Sequence, residues 1–295
     1  MASRTRSAYT PSAAAGVKSH YREVHGLRTH YLMAGAGDPL VLLHGSAIDS
    51  SLLSYGKSIP EFSRHYRVFA PDWPGYGKSS RPKQPYTLSD YIDVVRQLLD
   101  ALALEEVNLL GFSMGGGAAL GFALNYPERV RKLVLVDAYG LGGEVHVPLL
   151  PYLALKAPRL DMPIWMGLRR SRRLLKLFLR TFIFANAKNV TDDLVEEVYQ
   201  QMKVPEVERA FMAWIRGEMR WNRLTTNYVP RLGELMAPTL LLHGARDLVV
   251  PVSRSRRAAR SIPNATLEVI PRCGHWLPRE ASSRFSGEVL EFLAR

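Results

Sequence analysis

Residues 107–120 read VNLLGFSMGGGAAL, and this stretch decides the fold. The apolar run 107–110 is typical of a buried strand, and the small residues from Gly115 onward are typical of a closely packed helix. Between them stands a single serine, Ser113, with glycines two positions before and two after it. Larger side chains at those two positions would collide across a tight turn. The spacing therefore predicts a sharp strand–helix turn that exposes the hydroxyl of Ser113.

Short apolar runs on both sides of this turn repeat the pattern of buried strands. They cover 39–43, 67–70, 107–110, 133–137, 239–242 and 266–270. Helical patterns at 88–102 and 115–125 lie between several of them, and an alternating stretch at 20–33 turns at His25-Gly26 as a hairpin would. This alternation of strand and helix favours an α/β fold, a mostly parallel twisted sheet with helices on both faces.

The alternation of strand and helix patterns is interrupted once, over residues 146–234. This region lacks a good buried-strand run. It contains three helical patterns, 168–182, 191–202 and 205–220. We therefore predict a core in two parts, 19–145 and 235–295, with 146–234 as a helical cap. Such an insertion would lie over the carboxyl ends of the strands, where open α/β sheets bind ligands.

Composition excludes several classes of protein. Hydrophobic residues make up 47% of the 295 residues, which is enough for a sizeable core, and no apolar run approaches the ~18–20 residues of a membrane span. Cys273 is the only cysteine, so neither an intramolecular disulfide nor a zinc site of cysteines can form. We predict a flexible tail over residues 1–18, no metal, no cofactor and a cytoplasmic location.

More than half of the net charge of +12 lies in residues 156–180, which contain eight basic residues and one acidic residue, Asp161. These are Lys156, Arg159, Arg169, Arg170, Arg172, Arg173, Lys176 and Arg180. The segment 168–182 reads as a basic amphipathic helix with Leu168, Leu174, Leu175, Phe178 and Phe182 near one side. Three interpretations stay open: a solvated outer face, a lid that contacts an anionic membrane surface, or a funnel for acidic substrates. Nucleic acid is not expected as a partner, because no binding motif accompanies the charge.

A serine presented in this way becomes a nucleophile when a base lies beside it. His275 lies in the loop PRCGHW after the last strand, and it follows the serine in chain order, as this type of site requires. His44 and His243 each end a strand in a His-Gly pair, which is more typical of a turn. We therefore predict that His275 is the base for Ser113.

The base needs a carboxylate to orient it, and two candidates end strands at the same edge of the sheet. Asp247 lies in HGARD after the strand 239–242, and Asp137 ends the strand 133–137. Asp247 is closer in sequence to the histidine loop, and Gly244 allows the chain to turn before it. We predict that Asp247 orients His275 and that Asp137 has a structural role.

These motifs, in this order, resemble the α/β-hydrolase superfamily with a serine nucleophile and a helical cap. The matching segments include LVLLHGSA (40–47), FAPDWPGYGKSS (69–80), LLGFSMGG (109–116), LVLVDA (133–138) and PRCGHW (271–276). The resemblance implies that the backbone N–H groups of Ser46 and Met114 form the oxyanion hole. Such donors stabilise a developing oxyanion by about 3–4 kcal/mol each.

The resemblance also limits the reactions that this chain is expected to catalyse. Relatives that open epoxides or displace halide carry aspartate at the turn, whereas Ser113 implies acyl transfer. LLGFSMGG and PRCGHW are similar to the meta-cleavage-product hydrolases, which split carbon–carbon bonds. That group usually has asparagine where Phe112 stands, Gly-Pro-Gly near SAIDSS, and an arginine near 196–199, which here reads Glu-Glu-Val-Tyr.

These departures favour a carboxylesterase that acts on a small apolar ester, with Phe112 and Trp276 lining an apolar pocket. Hydrolysis of carbon–carbon bonds is the main alternative. Two further alternatives on the same fold are a non-enzymatic receptor for a small molecule and a perhydrolase.

Overall fold

The structure, a computed structural model, describes residues 16–82, 84–144, 152–153, 156 and 162–295. Most of the predicted tail and part of the predicted cap before residue 162 lie outside the described residues. Eight strands form one sheet. They are β1 (Lys18–Val24), β2 (Leu27–Ala34), β3 (Pro39–Leu43), β4 (Arg67–Pro71), β5 (Val107–Phe112), β6 (Val130–Val136), β7 (Thr239–Gly244) and β8 (Ala265–Ile270).

The strand order is β1-β2-β4-β3-β5-β6-β7-β8. Strand β2 runs antiparallel to β1 and β4, and the pairs from β4 through β8 are parallel. The predicted fold class, a mostly parallel sheet, is confirmed. Since β5 and β3 lie at its centre, the turn at Ser113 stands at the middle of the sheet's carboxyl edge.

Helices cover both faces of this sheet. They are α1 (Ser51–Tyr55), α2 (Ile59–Phe62), α3 (Leu88–Ala101), α4 (Met114–Asn125), α5 (Met162–Arg170), α6 (Arg172–Phe178), α7 (Asp192–Met202), α8 (Pro205–Glu218), α9 (Val252–Ala258), α10 (Leu277–Glu280) and α11 (Ser282–Ala294). Side chains alternate between two buried clusters: Val41 and Leu43 of β3 pack with α3 and α4, and Leu40 and Leu42 pack with α1, α2 and α11. Two-sided burial explains why these strands read as continuous apolar runs.

The prediction of one helix over 168–182 is wrong. The chain forms α5, breaks at Ser171, and continues as α6 and a π-helical turn at Leu179–Ile183. Ser171 has an extended backbone, and its hydroxyl accepts a hydrogen bond from the N–H of Leu174, so it caps α6. The expected apolar side is also not buried as one face, because Leu175 is buried whereas Leu174 is 48% exposed.

The glycines of the central turn are required by close backbone contacts. A methyl group on Gly111 would lie 2.2 Å from the carbonyl oxygen of Gly115, far inside van der Waals contact. We expect Gly111→Ala to lower the free energy of unfolding by about 1–3 kcal/mol or more, because backbone must move to make room. Urea unfolding followed by circular dichroism measures this change.

Gly287 supplies the matched control for this substitution. It lies inside α11, and a methyl group there would meet nothing within 4 Å. We expect Gly287→Ala to stabilise the protein by about 1 kcal/mol through helix propensity. Equal stability of Gly111→Ala and the native protein would contradict the account of the turn.

Candidate active site

The turn between β5 and α4 holds Ser113 in an unusual backbone conformation, with φ 52° and ψ −117°. A non-glycine residue in such a conformation is strained, and the surrounding hydrogen bonds must hold it. The N–H of Ser113 donates to the carbonyl of Val136 at 2.9 Å, and its carbonyl accepts from the N–H of Tyr139 at 3.0 Å. The end of β6 and the residues that follow it therefore hold the backbone of Ser113, and the hydroxyl of Ser113 faces a cavity.

The structure brings Ser113, His275 and Asp247 together as the sequence predicts. Nε2 of His275 lies 3.0 Å from Oγ of Ser113, and Nδ1 lies 2.8 Å from Oδ2 of Asp247. The other oxygen of Asp247 accepts from the N–H groups of Val249 and Val250 at 2.7 and 2.9 Å. The carboxylate is therefore held in place, and the imidazole connects it to the serine in the geometry that proton transfer requires.

Electrostatics around the imidazole favour its charged form. Burial alone would lower the pKa of His275, but the Asp247 carboxylate, through its charge and hydrogen bond, raises the pKa above the ordinary 6.5. Burial likewise opposes ionisation of Asp247, but His275, His243 and backbone N–H groups hold the pKa of this carboxyl well below its usual range. Asp247 is therefore ionised at neutral pH and stabilises the imidazolium that forms during proton transfer.

The raised pKa of His275 gives a prediction for the pH profile of kcat/KM. A general base works only when unprotonated, so activity is present above its pKa and is lost as the pH falls through it. We expect the acidic limb to have its midpoint above pH 6.5. Asp247→Asn removes the charge that raises the pKa, so the limb of its residual activity should move to lower pH. A native midpoint below 6.5, or an unmoved limb in this variant, would contradict the assignment.

Asp137 lies near Ser113, His275 and Asp247 but forms no hydrogen bond with His275. Its Oδ1 accepts from the N–H of Gly244 at 2.8 Å, and its buried Oδ2 has no hydrogen-bond partner among the described residues. Burial raises the pKa of Asp137 above its ordinary value. The geometry agrees with the structural role predicted for it.

His243 and His44 are also satisfied away from the nucleophile. His243 contacts Oγ of Ser255 and the carbonyl of Val250, and His44 contacts the carbonyl of Gly45 and the N–H of Trp73. Ligand atoms of Asp137, His243 and Asp247 lie within 4.8 Å of one another. This is the one such group found among the described residues. Because protein groups already bind most of these atoms, the arrangement favours a hydrogen-bond network over a metal site.

Of the two predicted oxyanion donors, Met114 directly follows Ser113 in the chain, and Ser46 lines the same cavity as Ser113. Met114 is the first residue of α4, so its N–H belongs to the first turn, where helix donors have no partner within the helix. Ser46 lines the cavity in the loop after β3. The charge that develops beside Ser113 would therefore meet a helix N-terminus, which favours an anion.

Sequence reasoning missed the network that supports this loop. Oδ2 of Asp49 accepts from the N–H of Gly45 and from Oγ of Ser54, both at 2.7 Å, and Nε1 of Trp276 donates to Oγ of Ser54 at 3.0 Å. This chain of bonds ties the oxyanion loop to the residue after His275. The only signal in the sequence was an aspartate in SAIDSS, and polar residues in loops are too common to identify it.

A cavity of about 710 Å³ lies over Ser113 and His275. The predicted pocket residues Phe112 and Trp276 both line it, and the ring of Phe112 lies 5.2 Å from that of His275. Helices between β6 and β7 supply the opposite wall. Its aromatic members are Trp165, Phe178, Phe211 and Trp214. The site suits a largely apolar molecule with a reactive carbonyl near the serine.

Ion pairs between helices α6 and α7 occupy part of the basic segment. Arg172 binds Glu196 at 2.5 Å, and Lys176 binds Asp192 at 2.6 Å. Glu196 stands in the stretch where an arginine was expected from the resemblance. Contact of this segment with an anionic membrane stays a prediction. Among the described residues, we find no helix whose length and apolarity would let it cross a bilayer.

The chain is similar to known hydrolases over most of its length. Residues 38–281 match the family described as alpha/beta hydrolase fold. The chain is 33% identical over 272 residues to a 2-hydroxy-6-oxo-2,4-heptadienoate hydrolase of Pseudomonas putida, covering 91% of this chain and 94% of that protein. It is also 33% identical over 273 residues to a 2-hydroxy-6-oxo-6-phenylhexa-2,4-dienoate hydrolase of Burkholderia cepacia, covering 90% and 91%. The solved structure of a meta-cleavage product hydrolase from Pseudomonas fluorescens superimposes with a TM-score of 0.77 at 31% identity, covering 93% of this chain and 97% of that one.

Proposed function

The chain belongs to the α/β-hydrolase family, and on that premise we propose that it hydrolyses a carbon–carbon bond in 2-hydroxy-6-oxo-dienoates. One observation carries the proposal: the Ser113–His275–Asp247 relay is complete in a chain aligned over nine-tenths of its length with relatives named for this reaction. Ester hydrolysis, the first expectation from the sequence, becomes the second candidate.

The first half of the proposed reaction forms an acyl-enzyme. Oγ of Ser113 attacks the 6-oxo carbon while Nε2 of His275 takes the hydroxyl proton, and Asp247 stabilises the resulting imidazolium. The negative charge on the former ketone oxygen is received by the N–H groups of Ser46 and Met114. The distances of 3.0 Å and 2.8 Å that join the three side chains support the roles proposed for Ser113, His275 and Asp247.

The bond then breaks because the departing carbon can carry the electron pair. Once the proton of the 2-hydroxyl has moved to carbon 5, that pair can spread along the conjugated chain to the 2-oxo group. The acyl group stays on Ser113, and His275 returns its proton to the departing 2-hydroxydienoate. Water, deprotonated by His275, releases the carboxylic acid. One water is consumed, and no oxidant or reductant is needed.

Ester hydrolysis is kept as the second candidate because of Phe112. Its side chain lies beside the nucleophile and against the ring of His275, where the resembling group usually carries a polar amide. An apolar ring there cannot hydrogen-bond to a dienol. An ester needs no such contact, since its alcohol leaves once it receives the proton from His275.

Two substrates with the same acyl group separate these candidates. 2-Hydroxy-6-oxo-6-phenylhexa-2,4-dienoate and p-nitrophenyl benzoate would both place a benzoyl group on Ser113, so their kcat/KM values differ only through the leaving group. We expect the dienoate to be the better substrate, although the nitrophenyl ester has the more reactive bond. Turnover of the ester alone would reject the proposed function and favour the carboxylesterase.

A further inference from the structure

Arg254, on α9, lies at the boundary between the catalytic cavity and an outer groove. Its side chain lines the cavity that contains Ser113 and His275, and it also lines a neighbouring surface groove of about 1000 Å³. Three more arginines line that groove: Arg220, Arg223 and Arg257. A molecule that extends outward from the nucleophile in this direction would therefore meet concentrated positive charge.

These positive charges lack a matching set of acids. None of the four arginines forms an ion pair with a carboxylate of the described residues, and Glu144 is the one acid that lines the groove. Nη2 of Arg254 donates to the backbone carbonyl of Glu144 at 2.7 Å, and the other N–H groups of the guanidinium have no hydrogen-bond partner among the described residues. Burial and the nearby charge of Arg257 lower the pKa of Arg254, as expected for a cation in a cationic environment.

We propose that Arg254, supported by Arg257, Arg220 and Arg223, binds a carboxylate at the end of the substrate remote from the reacting carbonyl. The inference rests on the proposed function in one respect, namely that the substrate's carbonyl lies at Ser113. The apolar walls of the cavity would hold the middle of such a molecule, and the planar guanidinium would bind its anionic end through two parallel hydrogen bonds. The substrate class is then an elongated keto acid or hemi-ester with one charged terminus.

The inference assigns to Arg254 a positioning and selecting role that sequence motifs do not show. The arginine expected near 196–199 is absent from this chain, and Glu196 there is paired with Arg172. Arg254 instead follows β7, and it lines the cavity together with residues 248–251, which directly follow Asp247. The charged end of the substrate would therefore be held by the core helix α9.

A binding measurement in Ser113→Ala tests the proposal without requiring turnover. Three tryptophans line the cavity, Trp165, Trp214 and Trp276, so ligand binding should change the intrinsic fluorescence. The ligands are monomethyl and dimethyl esters of straight-chain diacids with six to ten carbons. We expect the monomethyl ester to bind at least about tenfold tighter than the dimethyl ester at one or more lengths, as hydrogen bonds to charged groups allow.

The added substitution Arg254→Gln should reduce this preference to within twofold and leave dimethyl ester binding unchanged. Arg256→Gln is the matched control, because Arg256 lies on the same helix but lines neither space. No preference at any length, a preference that survives Arg254→Gln, or an equal loss for both esters would overturn the proposal. Selective binding without turnover of a dienoate by the native enzyme would reject the proposed function and leave the anion site standing. Turnover of the dienoate without selective binding of the monomethyl ester would support the proposed function and reject the anion site.

Discussion

Replacing Ser113 by alanine is expected to lower kcat for the dienoate by about 10⁴–10⁶-fold, with little change in stability or ligand binding. The hydroxyl is the attacking group of the proposed reaction, and its side-chain contact is with His275. Binding should persist because the cavity walls and the oxyanion donors stay in place. The residual rate should reflect those groups, since an oxyanion hole and binding alone still accelerate such reactions.

Two controls make this result specific. The thermal midpoint of Ser113→Ala should equal that of the native protein within about 2 °C, as expected when the substitution costs less than about 1 kcal/mol. The same variant should bind the dienoate with a Kd close to that of product analogues on the native enzyme. A variant that keeps more than a tenth of the native kcat would contradict nucleophilic catalysis by Ser113.

The second large effect is expected from Asp247→Asn. This substitution preserves the shape of the side chain but removes the charge that stabilises the imidazolium and fixes its tautomer. We expect kcat to fall by about 10³–10⁴-fold, as when the acid of such a relay becomes an amide. Steady-state kinetics at a pH on the plateau of the native profile measures the loss.

Asp137→Asn is the matched comparison, because Asp137 is a second buried aspartate in the same cluster. Its carboxyl accepts from Gly244 and forms no hydrogen bond with His275, and an asparagine oxygen could accept the same bond. We expect kcat to change by less than about tenfold. Equal losses in the two variants would show that both carboxylates serve the base, and a larger loss for Asp137→Asn would reverse the assignment.

The sequence predicted the central strands well because β3, β5 and β7 are buried on both faces. Continuous apolar runs such as 39–43 and 239–242 need no periodicity to be recognised, and glycine spacing located the turn at Ser113. The helix at 168–182 was mispredicted for a local reason. Its apolar and basic pattern continues across Ser171, and only the structure shows this serine capping a new helix.

The relay of side chains was predictable from chain order, whereas the groups that support it were not. Ser113, Asp247 and His275 occur in motifs, so a sequence can point to them. Asp49 is linked through Ser54 to Trp276, which lies 222 positions from Ser54 in the chain, and Arg254 contacts Glu144 across 110 positions. Only the fold brings such residues to the site.

Individual residues and overall similarity favour different substrates for this protein. Individual departures at Phe112 and Glu196 favoured an esterase, because each removes a polar group expected in the carbon–carbon hydrolases. Similarity over about nine-tenths of the chain favours the carbon–carbon hydrolases. Arg254, which pairs with no carboxylate among the described residues, is our proposed place for the substrate's carboxylate.

The most direct test of carbon–carbon hydrolysis by this relay is product analysis in ¹⁸O-labelled water. Purified protein would be incubated with 2-hydroxy-6-oxo-6-phenylhexa-2,4-dienoate, and the products would be identified by mass spectrometry beside a Ser113→Ala control. We predict equimolar benzoate and 2-hydroxypenta-2,4-dienoate, with the label in the benzoate carboxylate and with formation abolished in the variant. Benzoate no more abundant than in the Ser113→Ala control would contradict the account.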